Sequence, residues 1–186
     1  IRGNGKIQLD GDIKTSDANG DASAPSLTLT GAVELVTDTT ITTDTTGTDG
    51  IISFTSSIDS ITGQTRTLTI DSGTAATTVS GNIGTGVALG GLTINSTNSD
   101  TGAITLTGIG SGTAASDAGV IGVTTVGSTG TTTLTLAGST YNMDGNAAFE
   151  ATSANADKIV ISGSSPTFTL HDDTIDFLNG GVHLDD

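Results

Sequence analysis

Apolar residues recur at every second position in short runs along this chain, and each run ends within a few residues at Gly, Asn, Asp or Ser. Leu68 and Ile70, Leu92 and Ile94, and Ile104 and Leu106 each flank a threonine and form three versions of one unit. Alternation of period two turns one set of side chains inward and the other toward water, so each unit reads as a half-buried strand. Ile7 and Leu9, then Leu27 and Leu29, open the pattern, and Leu134/Leu136, Ile159/Ile161, Ile175/Phe177 and Val182/Leu184 carry it on. None of these runs reaches helical length with a helical period, which excludes a helical fold.

The strongest units begin at residues 7, 27, 68, 92, 104, 134, 159 and 182, at uneven steps. Several of the steps are close to the length of one solenoid repeat, roughly 20–25 residues. An imperfect repeat of that size points to a solenoid in which each coil stacks on the one before. The expectation is an all-β β-helix (β-solenoid) of about eight or nine coils. At a strand spacing of about 4.8 Å this makes a rod on the order of 40 Å long. Residues 110–119, rich in Gly, Ser and Ala without apolar rhythm, read as a loop insertion. The alternative is a β-sandwich, because short strands spaced about 8–12 residues apart also suit that class. Against it stand the absence of Trp and the single Tyr141, since sandwich cores lean on large aromatics.

Composition supports a thin core. The chain of 186 residues has 27 Gly, 38 Thr and only 3% aromatic residues, and 33% of it is hydrophobic. Small aliphatics in an elongated single domain spanning 1–186 satisfy those numbers more easily than one thick core does. The net charge is −15, carried by 18 Asp and 2 Glu, a ratio that favours loops and caps over helices. Five Lys and Arg in the whole chain cannot form the basic patch that nucleic acid or an anionic membrane surface requires. No apolar run is long enough for a membrane-spanning helix. Without Cys there are neither disulfides nor thiolate metal sites. The chain opens on Ile1 rather than Met, which reads as a processed product or an excerpt of a longer polypeptide.

Runs such as residues 26–59 and 66–96 are similar to the repeat regions of giant secreted bacterial surface proteins, the filamentous-haemagglutinin-like adhesins. The resemblance covers roughly residues 26–163. It implies a right-handed β-helix, an extracellular or cell-surface location on a prokaryote, and a role as stalk or fibre.

Strand pattern persists almost to both termini, in segments 1–13 and 174–186. Exposed strand edges there would join neighbouring subunits, other copies or adjoining segments of a longer chain, by strand addition through Ile7, Leu9, Ile175, Phe177, Val182 and Leu184. Asp17, Asn19 and Asp21 alternate as the first ligands of a calcium loop do, although Ala22 and Thr28 then depart from that motif. His171, Asp172, Asp173 and Asp176, with Asp185 and Asp186, form a second acidic cluster that suits a solvated loop. No nucleophile, paired-histidine or carboxylate–histidine constellation is present, so no catalytic residues are assigned, and no cofactor is expected beyond calcium. Thr pairs flanking apolar residues, such as Thr28/Thr30 and Thr105/Thr107, would order water on a flat face, but the uneven steps argue against one. Asn95, Ser96 and Thr97 make a glycosylation sequon. The functional expectation is a structural subunit or segment of an extracellular fibre, filament or adhesin stalk. The alternative is an adhesin passenger module that binds surface glycans.

Overall fold

The computed structural model describes residues 5–15, 23–152, 158–171 and 173–184. The chain winds in rungs of three short strands. β1 (Ile7–Leu9), β2 (Ile13–Lys14) and β3 (Leu27–Leu29) form the first rung. β4 (Val33–Leu35), β5 (Thr39–Thr42) and β6 (Ile52–Phe54) form the second. β7 (Ile58–Ser60), β8 (Thr67–Asp71) and β9 (Thr77–Val79) form the third. In the fourth and fifth rungs the first strand shrinks to the bridging residues Ile83 and Ile109. These are followed by β10 (Gly91–Ile94) and β11 (Ile104–Leu106), then by β12 (Thr124–Gly127) and β13 (Leu134–Leu136). β14 (Thr140–Met143), β15 (Ala147–Glu150) and β16 (Ile159–Ile161) make the sixth rung. β17 (Thr167–Leu170), β18 (Ile175–Leu178) and β19 (Val182–Leu184) make the seventh.

Each strand stacks in parallel on its counterpart one rung away. The second face runs from β2 to β18 and the third from β3 to β19, seven strands each. The first face runs from β1 through β4 and β7, then through Ile83 and Ile109, to β14 and β17. The result is a three-faced parallel β-solenoid. The expected class stands, and the sandwich of face-packed sheets does not.

The coil count differs from the expectation of eight or nine. Seven rungs are joined by about six turns, because along the third face one turn carries the chain from Leu27 to Ile52, from Ile104 to Leu134 and from Ile159 to Val182. The sequence steps mixed two faces of one turn: Leu92 lies on the second face, and Ile104, which opens the next unit, lies on the third. Seven rungs at about 4.8 Å span roughly 30 Å. The chain exposes 8061 Å², close to the roughly 8100 Å² of a globular protein of its mass. The prism is therefore squat, and the expected rod is too long.

Inward side chains stack in columns of like kind. One column runs Ile7, Val33, Ile58, Ile83, Ile109, Tyr141 and Phe168. A second runs Ile13, Ile41, Ile70, Ile94, Val126, Phe149 and Phe177. Most members of the inner rungs are buried to within 1%. Four of the five aromatic rings fall in the last two rungs, where Tyr141 stacks on Phe168 at 4.8 Å and Phe149 on Phe177 at 5.6 Å. The Tyr141 hydroxyl donates to Leu106 O and accepts from Gly138 N–H, and burial pushes its pKa up to about 12. The 110–119 segment folds back over the first face, where the amide of buried Asn142 donates to Gly112 O and Ala114 O. A short 3-10 turn at Ala115–Asp117 is the one helical element among the described residues.

Candidate functional site

The chain's most concentrated chemistry sits at the corner where the second face turns into the third. Inside that corner lies a buried polar column. Thr43 donates to Gly50 O, and Ser72 N–H donates to the Asn95 side-chain oxygen at 2.9 Å. The Asn95 amide donates to Ser72 Oγ at 3.0 Å, and Ser128 Oγ donates to Thr97 O at 2.7 Å. Asn95 adopts φ +44, a left-handed conformation that Asn tolerates better than most residues.

Just outside this column, three turns of the solenoid bring carboxylates together. Ligand oxygens of Asp44, Asp71 and Asp100 lie within 4.8 Å of one another. Burial, followed by the neighbouring charges of Asp49 and Asp100, holds the Asp44 carboxyl above its ordinary pKa. Burial and the Asp100 charge do the same to Asp71. Asp49 behaves oppositely: burial works against its charge, but N–H and hydroxyl donors of Thr74 and Thr45 outweigh it and lower its pKa. The donors of the triad are all oxygen, the chemistry of a hard cation, and a proton relieves the same crowding. Because each of these aspartates stands a full turn from the next along the chain, only the stacking register reveals them, and the sequence motifs missed them.

Side-chain oxygens elsewhere hold successive turns together. Asp12 accepts from Thr40 N–H at 2.7 Å and Asp38 from Thr67 N–H at 2.9 Å, and the Asn146 oxygen accepts from Thr174 N–H at 3.1 Å. Each is a side-chain oxygen of one turn clamping the backbone of the next. Glu34 is paired with Lys6 at 2.6 Å and accepts from Gln8, bonds that lower its pKa.

The sequence-derived candidates fall in different places. Asp17, Asn19 and Asp21 lie outside the described residues, as do Asp172, Asp185 and Asp186. Asp173 and Asp176 are exposed, and His171 Nε2 meets Asn142 Oδ1 at 3.0 Å. Asn95 of the sequon is 1% exposed with its amide engaged, so the folded chain offers no acceptor there. The Thr rows line up better than the uneven steps suggested. Thr28, Ser53, Thr78, Thr105 and Thr135 share one outward column on the third face, because the extra residues are absorbed at corners.

The two ends of the prism are unequal. Ile7 and Leu9 are buried, at 7% and 6% exposure, whereas Ile175 and Phe177 are half-buried and Val182 and Leu184 are 44% and 66% exposed. Beside the last rung an apolar cleft of about 610 Å³ opens between Ile161, Pro166, Phe168, Phe177 and Leu184. No described strand pairs with the outer edges of β17, β18 and β19, or with those of β1, β2 and β3.

Fold and sites together define a three-faced parallel β-solenoid with an acidic corner and with end rungs that no described strand covers. No protein-family model matches the chain, and no curated protein or solved structure matches it either.

Proposed function

We propose that this chain is a structural segment of an extracellular cell-surface fibre or adhesin stalk, continued through its end rungs by further parallel coils. The observation that carries the reading is the run of stacked parallel rungs whose outermost strand edges have no partner strand among the described residues. A stack of this kind orders backbone hydrogen bonds along one axis, and each added rung extends it without changing the cross-section. The squat shape of seven rungs fits a unit of a longer object better than a finished rod. Functional groups are spent on the scaffold: Asp12, Asp38 and Asn146 clamp successive turns, and Asn95 and Ser72 fill a corner. Similarity of the repeats to filamentous-haemagglutinin-like regions supports the exterior placement.

Gold-labelled antibody against the chain, applied to intact cells that produce it, tests this reading. Label along surface filaments is expected. Label that appears only after the cells are permeabilised overturns the exterior placement, and label on isolated globular particles overturns the fibre.

A further inference from the structure

Resting on the reading of this chain as a fibre segment, we propose that its last rung is covered by the first rung of a second copy, stacked head to tail in the register that runs through the molecule. Along a parallel strand, the backbone groups of successive residues point alternately to the two neighbouring strands. Thr167 N–H donates to Ser139 O, which turns the backbone groups of Phe168 away from β14 and along the axis. Ile159 N–H donates to Gly181 O, which leaves Val182 and Leu184 aimed onward in the same way. At the other end Ile7 N–H donates to Ala32 O and Leu9 O accepts from Val36 N–H, so Gln8 presents its backbone to the opposite side. The two ends thus offer complementary halves of one parallel ladder.

The columns agree with the edges. Phe168 ends the column that Ile7 begins, Phe177 ends that of Ile13, and Leu184 ends that of Leu29. A second copy continues all three, apolar on apolar. Ile7 and Leu9 are nearly covered in the single chain, so the newly buried apolar area comes mainly from Val182, Leu184 and the cleft beside Phe168.

Charge selects this arrangement over two last rungs face to face. Among the described residues the last rung carries Asp173 and Asp176 with no Lys or Arg, whereas the first rung balances Asp10 and Asp12 with Lys6 and Lys14. Tail on tail sets like charges together; head on tail does not. A small apolar ligand would fill the cleft but leave the strand edges around it without partners. A heterologous contact of this kind does not close on itself, so it builds filaments.

Sedimentation of the full chain and two variants tests the pairing. Leu184→Lys alters an exposed residue and blocks the tail, while Gln8→Pro removes an outward N–H from an edge strand and blocks the head. Lys14→Pro does the same in β2 and replaces Gln8→Pro if circular dichroism shows that variant unfolded. The unaltered chain should grow past the dimer as concentration rises. Each variant alone should remain monomeric, and an equimolar mixture should stop at a doubled mass. Unaltered chain that stays monomeric, or that stops at a dimer, overturns the proposal, and so does a tail-blocked chain that still polymerises. A monomeric result leaves the surface-fibre reading to the gold-label experiment, since a longer polypeptide could supply the next rung.

Discussion

Thr124 stands inward on β12 between Leu92 and Ala147, fully buried, with a hydroxyl that has no hydrogen-bond partner among the described residues. A buried unsatisfied hydroxyl is destabilising, and Val has the same shape without it. Thr124→Val should therefore raise stability by about 1 kcal/mol or more, or about 2–4 °C in Tm per kcal/mol, by calorimetry. An unchanged or lower Tm would show that the hydroxyl has a partner. The acidic corner makes a prediction of opposite chemistry. Asp44 and Asp71 have folded pKa values above the ordinary 3.8. Between 3.8 and the raised values the folded chain holds more protons than the unfolded one, so their contribution to stability falls as pH rises through that window. The full penalty is present at neutral pH. Asp71→Asn in chelator-containing buffer should raise Tm at neutral pH and leave it unchanged well below 3.8, where the carboxyl is already protonated; a drop at neutral pH would contradict the crowding. Single residues such as Leu68, Ile70 and Leu106 were legible as core because alternation is local. The Asp44, Asp71 and Asp100 triad was not, because its members meet only through stacking, and the Asn95 sequon misled because a three-residue motif carries no information on burial.

Elements meet at corners where backbones of successive turns pass closely. A Cβ placed on Gly138 would overlap the Thr107 carbonyl oxygen, and one on Gly163 would overlap that of Gly138, so this corner is a column of glycines set by main chain against main chain. Neither partner can move without breaking a rung. Gly138→Ala is expected to cost about 4 kcal/mol or more, read from urea unfolding midpoints, while Gly5→Ala, where a Cβ meets nothing within 4 Å, should change stability by less than about 0.5 kcal/mol. Similar losses from the two substitutions would mean that the corner relaxes. Strand existence was readable because period-two runs such as Leu134 to Leu136 are bounded by glycine. Strand pairing was not, because the loops between faces vary. The 110–119 excursion makes the step of the first face from Ile109 to Tyr141 longer than the one from Ile83 to Ile109, and its anchor, Asn142, gives no local sign of that role.

At the scale of the whole molecule, a rung touches only its neighbours, so stability is approximately a sum of rung terms and the interfaces between them. Inner rungs have an interface above and below; the last rung has one. The side chains follow the same gradient: Leu68, Leu92, Leu106 and Leu136 are buried to within 1%, whereas Val182 and Leu184 face water. Opening β17, β18 and β19 therefore breaks one ladder on each face and uncovers the stacked faces of Tyr141 and Phe149, while opening β10 breaks two ladders and uncovers core on both sides. Native-state hydrogen exchange on dilute chain should accordingly show amides of the last rung exchanging well before those of β8, β10, β11 and β13. Head-to-tail stacking adds a second expectation. As concentration rises, the missing interface is supplied by the next copy, and protection should grow in β17–β19 while the inner strands, already limited by global unfolding, change little. Uniform protection across all seven rungs in dilute solution would mean that the stack unfolds as a single unit, and the additive picture of the fold would have to be abandoned.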